Sequence, residues 1–230
     1  MDKSHLDIDK IKAILFDLDG TLYDLEKMQK IMRKKILAHL LTNPWKLKEI
    51  LIVYYFRKDR KKAAGAFVPD LAITQYRWIQ RRFDIPIEEV KAVIDKWMFS
   101  LPLNYLEDLA FSALYPFIKL LKEKEIPFGV HSDLPIGKKL EVLKIRPNLQ
   151  SDSTDEDINV LKPHPAGIMA FAKKLGIREE EVLVLGDKLE LDGRMAKEGG
   201  AQFFHIQSHI AEKQYEILFS LFENDPDPKK

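Results

Sequence analysis

The stretch Ile14-Leu15-Phe16-Asp17-Leu18-Asp19-Gly20-Thr21-Leu22 constrains what this chain can fold into more than any other. A short apolar run that stops at turn residues reads as a strand buried on both faces, the kind a parallel sheet requires. The run ends abruptly in two carboxylates, a glycine and a threonine. Asp17 and Asp19 stand two residues apart, so in extended geometry both side chains leave on the same side. Two like charges at the end of a buried strand repel unless something positive sits between them. A hard divalent cation with oxygen ligands meets that need, and magnesium is the usual choice in phosphoryl chemistry. One carboxylate is then free to attack phosphorus while the other carries a proton. Gly20 lets the backbone turn tightly beside a ligand. The same residues also fit a plain strand followed by an Asp-Gly turn, so the remaining segments decide.

Three of them stand in order along the chain. Ile126-Pro127-Phe128-Gly129-Val130-His131-Ser132-Asp133 reads as a second strand ending in a hydroxyl, which serves either as a phosphate donor or as a cap for the helical run 138–143. Val160-Leu161-Lys162-Pro163-His164-Pro165 opens a helix over 166–175. Lys162 there is either a solvated loop residue or a fixed cation for an incoming phosphate. Val182-Leu183-Val184-Leu185-Gly186-Asp187 is a further buried strand with an aspartate at its end, and Asp192 follows five positions on.

Together these segments resemble the four signature motifs of the haloacid dehalogenase-like hydrolase superfamily, over residues 11 to about 207. Asp17-Leu18-Asp19-Gly20-Thr21 matches the first motif in full, Ser132 the second, Lys162-Pro163 the third, and Gly186-Asp187 with Asp192 the fourth. The resemblance implies that Asp17 is a nucleophile forming an aspartyl-phosphate, and that Asp19 is the general acid and then the base. It implies that Ser132 binds the phosphoryl group and that Lys162 orients the nucleophile and stabilises charge. Magnesium would be held by Asp17, the backbone carbonyl of Asp19 and Asp187, with Asp192 supporting the metal shell through water. Dehalogenating relatives lack an acid at the second aspartate and need no metal, so the chain resembles the phosphate-transferring members. Two positions depart from the pattern. Lys188 stands where serine or threonine is frequent, either weakening metal binding or pointing to solvent. Asp133 stands where asparagine is common, and its side chain is expected to turn away from the phosphate.

Strand signals at 11–16, 126–131, 182–186 and 201–206 alternate with helical stretches such as 115–124 and 166–175. That alternation predicts an α/β fold, a Rossmann-like, mostly parallel sheet with helices on both faces. Segments 24–42, 46–58, 69–83 and 86–99 show helical spacing without a clear strand, and resemble the all-helical cap that many superfamily members insert after the first motif. The expected division is a catalytic core of residues 1–22 and 109–230 and a cap of residues 23–108. Its hinges would lie near Leu22-Tyr23 and Asp108-Leu109, and the cap would close over the site, exclude water and choose the substrate.

Charge divides along the same line. Residues 24–108 carry 17 Lys and Arg against 11 Asp and Glu, a balance of +6, which leaves −5 for the remainder of a chain with net charge +1. A basic lid over an acidic, metal-binding core would attract a small anion. The run Arg57-Lys58-Asp59-Arg60-Lys61-Lys62 is expected to be a solvated loop, and without interleaved aromatics it gives nucleic-acid binding little support. Tyr54, Tyr55 and Phe56 either line the pocket or pack in the core, and Arg77, Arg81 and Arg82 share a helix with Trp78 from which one arginine would reach a distal anion. His131 and His164 read as structural.

The chain is 46% hydrophobic and 32% charged, neither a disordered nor a membrane composition. It has no cysteine, which removes disulfides, thiolate metal sites and a thiol nucleophile. Residues 1–10 lack the apolar core of a signal, and the longest apolar run, 50–56, is far short of the roughly 20 residues that cross a bilayer. The expectation is therefore a cytoplasmic, magnesium-dependent phosphatase of small phosphorylated metabolites, of the phosphoglycolate or sugar-phosphate type, with the oligomeric state open. A phosphomutase of the β-phosphoglucomutase kind carries the same four motifs, and a non-catalytic phosphate- or metal-binding protein on this fold is the remaining alternative.

Overall fold

The computed structural model describes residues 6–224; the ends of the expected core, 1–5 and 225–230, lie outside them. In chain order the elements begin with β1 (Ala13–Phe16). Five helices follow: α1 (Leu25–Thr42), α2 (Leu47–Lys62), α3 (Leu71–Phe83), α4 (Ile87–Ile94) and α5 (Leu101–Leu106), the last two joined by a π-helical stretch, Asp95–Ser100. Then come α6 (Leu114–Glu123), β2 (Phe128–Ser132), α7 (Gly137–Val142), β3 (Leu149–Asp152), α8 (Ala166–Leu175) and β4 (Val182–Gly186). A π-helical turn, Leu189–Gly193, leads to α9 (Arg194–Gly199), β5 (Gln202–His205) and α10 (Ala211–Glu223).

The five strands form one parallel sheet in the order β3-β2-β1-β4-β5. β1 is central, Ile14 lying beside Phe128 on one side and Leu183 on the other. Alternation assigns its side chains to two layers. Ile14 and Phe16 join Phe117, Phe128, Leu185, Tyr215 and Phe222 on one face, while Ala13 and Leu15 join Ile168, Phe171, Val184 and Met195 on the other. A strand buried on both faces must be apolar throughout, which is why β1 and β4 are the plainest strand signals in the sequence. β3 carried no such signal. It is an edge strand of Leu149, Gln150, Ser151 and Asp152, only partly buried, and nothing in its composition separates it from a loop.

The chain leaves the sheet after β1 and returns at α6, and residues 22–24 and 109–111 run side by side at that junction. Asp24 N–H donates to the Leu109 carbonyl at 2.9 Å and Phe111 N–H to the Leu22 carbonyl at 3.2 Å. The helices between have their own apolar cluster, built on Ile52, Phe56, Ile79, Val90, Ile94 and Trp97. The run at residues 57–62 is not a loop but the C-terminal end of α2. The inward stripe of α2 repeats at Val53, Phe56 and Arg60, so Arg60 is buried while its neighbours face water. Its guanidinium donates to the Gln75 side-chain carbonyl of α3 and to the backbone carbonyl of Asp133, and lies over the Phe56 ring. The segment after α2 also rests on the core: Gly65 N–H donates to the Leu161 carbonyl at 3.2 Å, and Leu71 N–H to Asn159 Oδ1 at 2.9 Å.

Candidate active site

In an open α/β sheet the ligand crevice lies beyond the carboxyl ends of the strands, where successive connections depart in opposite directions. Here that place is the junction of β1 and β4. Asp17 leaves the end of β1, Asp187 the end of β4, and Ser132 closes β2 on the other side of β1. The backbone N–H of Asp17 donates to the Leu185 carbonyl at 2.8 Å, extending the ladder to Asp17 itself. The Tyr215 hydroxyl, from α10, donates to the Thr21 carbonyl at 2.8 Å and fixes the turn that follows.

Lys162 reaches into the crevice from the opposite wall. Its ammonium is 2.6 Å from Asp17 Oδ1, 2.8 Å from Asp192 Oδ1 and 3.1 Å from the His131 carbonyl. Its backbone is held by Asp133, whose Oδ1 accepts the Lys162 N–H at 2.9 Å and the Ser153 hydroxyl at 2.7 Å. Asp133 therefore ties the second motif to the third. Asp192 has two further partners. It shares Lys162 with Asp17, and its Oδ2 accepts the Lys188 N–H at 3.1 Å, closing the loop after β4.

Asp17, Asp187 and Asp192 each bring a carboxylate oxygen within 4.8 Å of the others. Burial pushes the Asp17 carboxyl up to about 7; Lys162 pulls it down, while Asp192 and Asp187 raise it further. Burial likewise pushes Asp187 up to about 6. Lys162 is nonetheless held well above the ordinary lysine range, because Asp17 and Asp192 outweigh the cost of burying it. These directions agree once the charges are placed: Lys162 serves Asp17 and Asp192 at close range, and the third carboxylate has the more distant Lys188. Asp187 Oδ1 is buried without a hydrogen-bond donor, its neighbouring cation being the half-exposed Lys188 ammonium at 3.5 Å. Three hard oxygen donors, an orphaned carboxylate oxygen and mutual repulsion fit a divalent cation.

Two glycines make this approach possible. A Cβ on Gly20, whose φ is +97°, would lie 2.3 Å from Asp187 Oδ2, and one on Gly186 would lie 2.4 Å from Asp192 Cβ. Gly20→Ala is therefore expected to displace Asp187 and weaken divalent-cation binding at least about tenfold, as disturbance of a ligand's support does. Isothermal titration with magnesium checks this, and unchanged affinity would count against Asp187 as a ligand.

Asp19 points elsewhere. Its Oδ1 accepts the Tyr23 hydroxyl and the Lys139 ammonium, each at 2.5 Å. Burial opposes its ionisation, but the charge of Lys139 and these hydrogen bonds hold it below the usual carboxylate range. Lys139 escaped sequence reasoning because it lies among ordinary helix-surface residues. Its meaning comes only from a partner 120 positions away. Ser132 is buried, and its Oγ accepts the Leu134 N–H at 3.3 Å, so it does cap the following turn. The two histidines stay outside the cluster of carboxylates. Burial drives His131 down to about 3, leaving it neutral beside Ser151, and His164 Nδ1 accepts the Ala166 N–H at the start of α8. Phe56 is core, Tyr54 is exposed, and Arg82 pairs with Asp59 over the Tyr55 ring.

Residues 11–200 match the haloacid dehalogenase-like hydrolases. The chain belongs to that family. Among its curated relatives is the glyceraldehyde 3-phosphate phosphatase of Methanopyrus kandleri, 27% identical over 83% of this chain and 81% of that protein. Another is the pyrophosphatase PpaX of Bacillus pumilus, 26% identical over 77% of this chain and 74% of its own. Among solved structures, the HAD phosphatase of Thermococcus onnurineus superposes with a TM-score of 0.55 at 20% identity, covering 86% of each chain. The magnesium-bound HAD-hydrolase YfnB of Bacillus subtilis superposes with a TM-score of 0.59 at 15% identity, over 90% of this chain and 98% of that one. The acid retained at position 19 is the feature by which the sequence resembles the phosphate-transferring members of this family. Among the described residues, no helix is long and apolar enough to cross a membrane.

Proposed function

We propose that this haloacid dehalogenase-like hydrolase is a magnesium-dependent phosphatase of small phosphorylated metabolites, acting through an aspartyl-phosphate on Asp17. The observation that carries the reading is the separation of the two first-motif carboxylates: Asp17 meets Lys162 and the acidic cluster, while Asp19 meets Lys139 and Tyr23. The two carboxylates thereby have different partners, which leaves each free for a different task in a two-step hydrolysis.

For the first step Asp19 takes up a proton from water; an oxygen of Asp17 then attacks phosphorus, the phosphorus–oxygen ester bond breaks, and the ester oxygen departs with that proton. In the second, Asp19 takes a proton from water, whose oxygen attacks the aspartyl-phosphate and frees Asp17 and inorganic phosphate. Lys162 holds the attacking carboxylate in place and offsets charge on the phosphoryl oxygens, and the Ser132 hydroxyl and its backbone N–H would hold the same oxygens. Magnesium, held by Asp17, the Asp19 carbonyl and Asp187 with Asp192 behind them, would supply Lewis acidity and neutralise the transferring group. The helical residues 23–108 would act as the cap. Arg60, Gly65 and Leu71 already bridge them to the loops that carry Ser132 and Lys162. The test is phosphate release from a panel of phosphorylated metabolites, including glyceraldehyde 3-phosphate and pyrophosphate, with and without magnesium. Release that requires the metal supports the reading, and silence on the whole panel removes it.

A thermal measurement tests the metal site without turnover. Asp17 and Asp187 have folded-state values of about 7 and about 6, above the roughly 3.9 of an unfolded aspartate. Between those limits the folded state binds more protons than the unfolded one, so stability falls as pH rises from about 4 to about 7. A divalent cation replaces those protons and cancels the loss. His131, lowered to about 3, gives the opposite slope with or without metal and drops out of the difference. The rise in Tm on adding magnesium should therefore be larger at pH 8 than at pH 5.5, and equal shifts would count against the cluster as the binding site.

A further inference from the structure

The two buried lysines of this site are divided between the two catalytic carboxylates. Lys162 serves Asp17 and Asp192. Lys139, from the middle of α7, serves Asp19. Its helix is anchored on either side by Ile136, Leu140 and Leu143, all packed into the core, so the lysine has little freedom to retract. Only 6% of it is exposed. The hydrolytic reading gives Lys162 its work on the nucleophile side, but it leaves a second buried ammonium on the leaving-group side with no stated task.

A buried ammonium is tolerated when it has an anion to face and is costly when that anion is withdrawn. In the structure the anion is Asp19, whose Oδ1 also holds the Tyr23 hydroxyl. When Asp19 turns toward the ester oxygen, Lys139 loses that partner. A negative group on the substrate, close to the bridging oxygen, would take the vacated place. A substrate with a neutral leaving group would leave the ammonium unpaired at the moment of reaction.

We propose that Lys139 forms an anion subsite beside the leaving oxygen, so that this enzyme selects phosphate compounds whose leaving group itself carries a negative charge. The proposal rests on the phosphatase reading above and names the substrate class within it. The anion is a carboxylate, as in 2-phosphoglycolate, or a second phosphate, as in pyrophosphate. Three-carbon phosphates with neutral leaving groups, such as glyceraldehyde 3-phosphate, fall outside the class.

Matched pairs separate the two sources. The first pair is 2-phosphoglycolate against 2-hydroxyethyl phosphate, and the second is pyrophosphate against methyl phosphate, each assayed with the wild-type enzyme, Lys139→Gln and Lys139→Arg. The wild type should favour the charged member of at least one pair by tenfold or more in kcat/KM. Lys139→Gln should lower that ratio at least tenfold, Lys139→Arg should keep part of it, and the pair that responds identifies the anion. Equal losses on both members of each pair would overturn the proposal, because Lys139 would then act through Asp19 alone. A wild type without preference would overturn it as well, and that result stands even if Lys139→Gln does not fold. If the wild type turns over nothing, the phosphatase reading fails, and calorimetric binding of pyrophosphate and 2-phosphoglycolate decides the subsite by itself. Affinity at least tenfold weaker in Lys139→Gln or Lys139→Arg sustains it, and unchanged affinity overturns it.

Discussion

Asp17→Asn should abolish phosphate release, lowering kcat by about a thousandfold or more, since an amide cannot form the acyl-phosphate that divides the reaction into two steps. The same substitution should not weaken the fold. Asp17 sits in a cluster with more carboxylates than cations, and burial already pushes its carboxyl up to about 7. The amide keeps the shape and removes one of the repelling charges, while Lys162 retains Asp192 at 2.8 Å. In EDTA at pH 8 the variant should therefore melt at or above the wild-type temperature, as sites that hold strain for function commonly do. Calorimetry and a phosphate-release assay on one preparation check both halves. Residual turnover above about one part in a thousand would remove Asp17 from its role.

Chelation should have an effect of similar size. With EDTA in excess, release should fall to background, and magnesium should restore it in full. The reason lies in Asp187. Its Oδ1 has no hydrogen-bond donor, and Lys188 at 3.5 Å is half exposed. Without a divalent cation the carboxylates of Asp17, Asp187 and Asp192 outnumber the Lys162 and Lys188 ammoniums beside them, so a phosphate dianion would be repelled. Turnover that persisted after dialysis against chelator would show the acidic cluster to be structural, and Asp187 would lose its assignment.

Much of this architecture was legible because function and folding ask for the same local pattern. Val182–Gly186 is recovered residue for residue, since a strand buried on both faces can only be written in apolar letters and a tight approach by Asp192 requires the glycine after it. Ala166–Leu175 likewise announces itself through a proline before and a glycine after. The motif aspartates stand out because each ends such a strand. What escaped is what depends on distance. Lys139 and Asp19 are 120 residues apart, and a lysine in a helical stretch looks the same whether it faces water or a carboxylate. Arg60 was hidden by its setting, a basic run that reads as solvated until the inward stripe of α2 is counted through to its last turn. Asp133 is set by its partners, the Lys162 N–H and the Ser153 hydroxyl, which are fixed by a loop that local pattern does not describe.

The central place of β1 also bears on how the chain is made. Its first hydrogen-bonded neighbour begins at Phe128 and its second at Val182. At ribosomal speeds of about 5–20 residues per second, a strand that is apolar on both faces emerges and then waits on the order of ten seconds for an edge to pair with. During that wait the nascent chain carries an open template for mispairing, while the intervening helices, rich in local contacts, can already assemble. The Asp17–Thr21 motif is therefore synthesised well before the strand that carries it is shielded on both edges. Cellular yield, more than turnover, is where lesions in this strand would first be felt.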